Sequence, residues 1–482
     1  MLFDNFRRQL RQEARIWQDE GIIDEELYQQ LAQRYQFNYL ETAARERFVF
    51  ILIAVGVILL GLGVITFVAA NWQALSREVK LTLLLSIFLV TNIAGFSLWK
   101  QPRSNNIASN SQKRRQHILG EGLLILGALT IGANMALSSQ IFHISGSIYE
   151  LFVAWGLAVL LMAYSLRLSS LGLLSLILLM IGYSTSSSFG WSVGLDEFNW
   201  TKLVMEHLPL VSGLLFVPLA YWCRSRWIFR IAAIAFIISW QFQFRSLEVL
   251  QYRDAPSWLV IATFTIPPAL LWSYDDLLFG QITSRLFQPF ARALASVVFS
   301  ITFYLLSYRW LWETRSSDYQ TRFASSPLAT WLPLIDVSIF AVVALWQWWH
   351  LLRQTRNREA RGMDIKTIVI AGLIVTTAVI IFLHQAITPI AIIPIIAFNV
   401  LLAVFSFGVI LEALELGKRR GFWCGMVLLT LQIMTRMLEY DTSLLLKSLV
   451  FVLCGVVVIV AGLWFERYVA SLGTTTSNGN QR

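Results

Sequence analysis

From residue 45 onward the chain alternates between uncharged apolar stretches and short polar turns, and the first stretch sets the plan. In RERFVFILIAVGVILLGLGVITFVAANW (45–72) no side chain between Phe48 and Ala70 is charged. Roughly 20 apolar residues in helix cross a hydrocarbon core of about 30 Å. The pattern therefore predicts a membrane-spanning helix, with Arg45 and Arg47 at its start and Asn71 and Trp72 at its far end, where an amide and an indole suit the headgroup layer. Applied along the chain, the same criterion gives about fourteen spans. They fall near 48–70, 79–99, 118–138, 148–166, 168–188, 208–223, 227–243, 257–274, 290–310, 333–352, 366–384, 388–412, 421–438 and 444–464, of which 208–223 and 227–243 are short for a full crossing. The expected fold is all-α: a polytopic helical membrane protein with a short N-terminal helical hairpin in the cytoplasm.

Four regions follow from the pattern. Residues 1–44 read as an amphipathic helical head. Gly21 stops a first helix, Asp24 caps a second, and Leu27, Leu31 and Tyr35 share one face at i, i+4, i+8. That face is too small for an independent core, so it needs a neighbour, the membrane surface or a cytoplasmic protein partner. Residues 45–188 form an N-terminal membrane domain and 189–467 a C-terminal multi-span domain; 468–482, small and polar, is expected to be disordered. The loop QPRSNNIASNSQKRRQ has a similar composition and reads as a flexible connector. No cleavable signal precedes the first span, which is expected to act as an uncleaved anchor.

Composition agrees with lipid as the solvent. Apolar residues make up 56% of the 482 and charged residues 14%, against the roughly 25% charge of a soluble domain. The 19 tryptophans fit helices with two interfaces. The net charge of +9 comes from short clusters between apolar runs rather than aromatic-interleaved basic motifs, so nucleic acid is not an expected partner. Those clusters set the orientation, because cytoplasmic loops are enriched in Lys and Arg. The head and alternate loops (Lys100 to Arg115, Arg224 and Arg226, Arg353 to Arg361, Lys418 to Arg420) are basic, whereas 139–147 and 385–387 carry no Lys or Arg. An even number of spans with both termini cytoplasmic satisfies this. Cys223, Cys424 and Cys454 lack paired spacing and read as packing residues.

The stretches GLGVITFVAANWQALSREVKLTLLL and GEGLLILGALTIGANMALSSQIFHISGSIYELFVAWGLAVLLMAYSLR resemble the bacterial predicted-membrane-protein family of domain of unknown function 2157, over roughly residues 10–170. The residues that carry the resemblance are the Asn71-Trp72 pair, Gly120-Glu121, the turn from Gln140 to His143, and Trp155. The family more often has a tyrosine where this chain has Phe142. The resemblance implies a multi-pass protein of the bacterial inner membrane and no established activity.

Candidate chemistry is sparse. Asn71, Trp72, Gln140, His143 and Trp155 gather on the outer side and define an outward polar pocket, with an imidazole that changes charge near neutral pH. The alternative is that Asn71 caps a helix, Trp72 anchors in headgroups, and Gln140 and His143 satisfy loop carbonyls. Glu121, Glu150, Arg230 and Asp336 are ionisable groups within apolar stretches, which mark pathways or paired contacts; Glu121 and Glu150 also suit helix N-termini. Pro209, Pro218, Pro267, Pro268, Pro389 and Pro394 mark broken or kinked helices. Gly120, Gly127 and Gly132 allow close helix packing. Arg436, Glu439, Asp441 and Lys447 bracket an outer turn as a charge network or a solvated loop. No catalytic motif is present and the five histidines are scattered, so neither an enzyme nor a resident metal or cofactor is expected. Two functions remain: a transporter or lipid-handling protein acting on a small solute or lipid, and a non-transporting scaffold or sensor that recruits a partner through residues 1–44.

Overall fold

The computed structural model describes residues 10, 13–14, 16–18, 20–35, 52, 55, 59, 76–100, 107–143, 146–188, 200–276, 286–313, 327–357, 365–386 and 392–479; all are helix, turn or loop, with no strand among them. Packing divides the chain into two units, Met1–Leu89 and Val90–Arg482.

In the first unit Gly21 takes the left-handed conformation (φ 72°) that ends a helix, and Ile22 N–H returns to Trp17 O at 2.8 Å. Asp24 Oδ1 then accepts Leu27 N–H at 2.9 Å, starting α1 (Glu25–Tyr35) with Glu25 and Glu26 in its first turn, as the spacing predicts. The span expected at 48–70 lies outside the described residues, apart from 52, 55 and 59, and so do Asn71 and Trp72. α2 (Arg77–Trp99) begins in this unit.

The second unit takes the end of α2 and then α3 (Ile107–Ile141), α4 (Ile148–Leu166), α5 (Ser169–Ser188), α6 (Trp200–Glu206) and α7 (Leu208–Trp222). There follow α8 (Arg226–Phe244), α9 (Ser257–Ser273), α10 (Gln288–Leu306), α11 (Pro327–Asn357), α12 (Ile365–Ala386), α13 (Ile392–Glu415), α14 (Arg419–Glu439) and α15 (Leu444–Gly479). Among the described residues eleven helices are long and apolar enough to cross a membrane, or twelve if α6 and α7, which meet at 81°, make one crossing. α9, at 17 residues, is shorter than these. Two polar stretches read as flexible are helical where they are described: α3 begins at Ile107, inside the connector, and α15 runs to Gly479, through the tail. Once a long apolar helix exists, each added residue gains a hydrogen bond without a new nucleation cost.

Buried apolar side chains form three clusters. The first joins Leu124 and Val153 to Phe216, Phe229 and Phe287. The second surrounds α9, and the third joins Ile410, Phe422 and Phe465. α9 is apolar all round, and a helix of that kind is buried on every side: Leu259, Val260 and every residue from Ala262 to Ser273 are buried, against α10, α11 and α12.

Prolines inside these helices remove backbone donors, and at Pro267 an aromatic side chain from a neighbouring helix supplies the replacement. Pro267 cannot donate to Thr263 O, and Trp240 of α8 does so instead, Nε1 to O at 3.1 Å. In α7 the turn before Pro218 widens to a π-helix (212–216), and the Tyr164 hydroxyl of α4 donates to Leu215 O. Trp348 donates to Ala269 O at 3.2 Å. Composition suggests interfacial anchoring for the tryptophans; several of them instead join helices through backbone carbonyls.

Gly120 and Gly132 are among the glycines that sit at close helix approaches. A Cβ at Gly120 would stand 2.6 Å from Trp99 N, and one at Gly132 would stand 2.5 Å from the Trp155 ring. Gly132→Val is therefore expected to displace Trp155 and destabilise the protein by about 1–3 kcal/mol, the usual cost of overpacking. Gly122, with nothing within 4 Å of its Cβ position, should accept alanine without loss. Thermal unfolding of the two variants, read with a thiol-reactive dye, checks the contrast.

Candidate functional site

The described residues of the family pattern each have separate partners. Gln140, in the last turn of α3, is exposed, and so is His143 just beyond it, at positive φ (51°) with Nδ1 3.2 Å from Ile141 O. Trp155 is half-buried against Gly132 and its Nε1 donates to Ala128 O at 2.8 Å, which ties α4 to α3. Glu150 Oε2 accepts Ser147 N–H at 3.1 Å, which fastens the start of α4. Glu121 Oε1 accepts the Ser170 hydroxyl at 2.7 Å, joining α3 to α5. Arg230 lies over the Phe290 ring at 3.9 Å and the Trp227 ring at 4.9 Å. With Asn71 and Trp72 outside the described residues, the structure places Gln140 and His143 on one exposed turn and gives Trp155 an interhelical role.

Asp336 is different. It sits near the start of the apolar part of α11, is 0% exposed, and receives groups from two other helices. His207 Nδ1 is 2.7 Å from Oδ1, and Gln243 Nε2 donates to Oδ2 at 2.7 Å. Local sequence explains both positions. His207 stands at the 81° break between α6 and α7, where Pro209 occupies the first turn of the new helix and Val211 N–H closes on His207 O at 2.9 Å. Gln243 falls in the last turn of α8. Gln243 Oε1 is buried without a partner, and Lys202 and Glu206, 3.9 Å apart, flank His207. The result is one buried carboxylate, one imidazole and one spare amide oxygen at the meeting of three helix ends, a set that can hold and release a proton. Sequence reasoning marks Asp336 as a charge in an apolar stretch and places His207 near the outer face; it misses Gln243 and the pairing of both with Asp336, for which the only signal is the proline two residues after His207.

A second polar joint lies between α10, α13 and α14. Arg436, 7% exposed, donates Nη1 to Ser307 O at 2.7 Å, pairs with Glu439 Oε2, and lies over the Tyr308 ring at 3.9 Å. Asn399 Nδ2 reaches the same Ser307 carbonyl at 3.2 Å, Gln432 Nε2 donates to Asn399 O at 2.7 Å, and Arg309 N–H donates to Glu439 Oε1 at 2.8 Å. Of the two alternatives posed by the outer turn, Arg436 and Glu439 take the buried network.

At the start of α10, Asp276, 0% exposed, accepts the backbone N–H groups of Phe287 and Gln288, both at 2.9 Å, and the Tyr221 hydroxyl. The Tyr274 hydroxyl lies 2.7 Å from that of Tyr221.

The fold and these buried polar joints define a multi-span helical membrane protein. Residues 15–172 match the model of the family described as "Predicted membrane protein (DUF2157)", the family that the Asn-Trp, Gly-Glu and Gln-to-His motifs resemble. No curated protein and no solved structure shows significant similarity to the chain.

Proposed function

We propose that this is a proton-linked transporter or lipid-handling protein of the bacterial inner membrane, with its polar site at His207, Asp336 and Gln243. Both termini lie in the cytoplasm on this reading. Fourteen crossings result when the bent pair α6 and α7, the short α9 and the segment 48–70 each count as one. The loops that alternate in basic charge then fall on one side, and His207, Gln243 and Asp336 fall together on the outer one. The observation that carries the reading is the fully buried Asp336 shared by three helices, because ionisable groups at membrane depth are costly and mark proton or substrate routes.

The test uses the full chain in vesicles with a trapped pH-sensitive dye and an imposed membrane potential. Proton uptake above that of empty vesicles, lost in Asp336→Asn, is the expected result. Equal uptake by wild type, Asp336→Asn and empty vesicles would sink the transport reading. Topology is checked separately with single cysteines at positions 143 and 356: an impermeant thiol reagent on intact cells should modify the first and not the second.

The apolar packing along α9 favours a second reading, a non-transporting sensor in which the same cluster sets helix packing and the head recruits a cytoplasmic protein. Deleting residues 1–44 would then abolish the cellular phenotype while leaving membrane insertion intact.

A further inference from the structure

We propose that the seam between α5 and α8 binds one anionic phospholipid, with its phosphate on the arginines at the start of α8 and an acyl chain in the groove beyond them. Arg167, in the turn between α4 and α5, lies over the Trp222 ring at 4.2 Å, and so joins the turn that carries Arg224 and Arg226. Arg230 follows one helical turn later, over Phe290 and Trp227, and Arg226 lies 5.9 Å from the same Phe290 ring. No carboxylate pairs with any of these four among the described residues. Asp276, one of two adjacent buried acids that follow α9, has its oxygens engaged by Tyr221 and by two backbone donors. Stacking occupies the face of a guanidinium and leaves its N–H edge free, and that edge matches a phosphate in bidentate geometry.

A groove of about 320 Å³ begins at the residue after Arg230. Ile231, Ile234, Ala235 and Ile238 of α8 line one wall, and Leu176 and Met180 of α5 contribute to the other. Along α8 it runs over eight residues, Ile231 to Ile238, about 10 Å at the rise of an α-helix. Trp222 (53% exposed) and Trp227 (61% exposed) stand at its basic end, as indoles do at headgroup level. A free phosphate would use only the arginines and a neutral lipid only the groove; an anionic phospholipid uses both. Basic pockets between membrane helices take such headgroups. The site does not depend on the transport reading.

The experiment is native mass spectrometry of the full chain in detergent, titrated separately with dioleoylphosphatidylglycerol and dioleoylphosphatidylcholine. Wild type should bind the glycerol lipid more tightly, and Arg226→Gln/Arg230→Gln should weaken that binding about tenfold, toward the level of the choline lipid. Ala235→Trp, which fills the groove and removes no charge, should also weaken it. Arg226→Lys/Arg230→Lys, which keeps the charge without the fork, should bind better than the glutamine pair. Arg419→Gln/Arg420→Gln, on another basic turn, should bind like wild type. Each variant is compared only where its thermal unfolding matches wild type. Equal affinity of wild type for the two lipids, an equal loss in the Arg419/Arg420 control, or wild-type binding by Ala235→Trp would each overturn the assignment.

Discussion

Arg436→Ala is expected to lower the stability of the folded protein by about 3–5 kcal/mol, the usual cost of breaking a buried ion pair from one side. The guanidinium serves three partners at once, the Ser307 carbonyl at the end of α10, the Glu439 carboxylate and the Tyr308 ring. Removing it leaves Glu439, whose side chain is 16% exposed, with the single N–H of Arg309 against its charge. Most of the loss should come from that stranded carboxylate, so Arg436→Ala/Glu439→Gln should recover a large part of it. Arg436→Lys keeps the charge but not the planar fork and should fall between wild type and alanine. Reversible unfolding in mixed detergent micelles measures all four proteins. Equal losses in the single and double variants would show that the pair is not the source.

The second large effect is expected at His207. Its imidazole is 2.7 Å from a carboxylate that is 0% exposed, so His207→Ala leaves Asp336 buried with only Gln243 to serve it. A loss of about 3–5 kcal/mol is expected, again from an uncompensated buried charge. Asp336→Asn keeps the shape: its oxygen can accept from Gln243 and its amide can donate to His207, so its own cost should be near that of one hydrogen bond, about 1 kcal/mol. In the His207→Ala background the same change should be stabilising. That reversal of sign separates a charge effect from a cavity left by the imidazole, and the unfolding assay reads it directly. In transport the order inverts: Asp336→Asn, the milder change for stability, should be the more damaging to proton uptake.

Much of this molecule is legible in its sequence. The apolar runs lie on helices wherever they are described, because in lipid a backbone must satisfy its own hydrogen bonds and a long uncharged stretch has little choice but helix. Gly21 and Asp24 place the start of α1 for equally local reasons. The counts differ. α9, buried by protein on every side, is at 17 residues shorter than the other spans, and α6 and α7 are separated by a bend at the Pro209 turn.

The polar joints follow another rule. Asp336 and Arg436 stand out from their neighbours as charges in apolar surroundings, yet their partners are far along the chain: 129 residues separate Asp336 from His207, and the same number separate Arg436 from Ser307. Periodicity reports which face of a helix is apolar; it carries nothing about which distant helix end arrives beside it. Trp155, Trp240 and Trp348 make the same point, since an indole at a bilayer interface and one donating to a neighbour's carbonyl look alike in a linear string. What the chain by itself determined was its solvent, its helices and its alternation of basic turns, all of which depend on contiguous residues. The pairing of His207 with Asp336, the burial of Arg436 and the stacking of Arg226 and Arg230 on Phe290 were decided only when the helices packed, because a contact free energy depends on positions in space that no single stretch encodes.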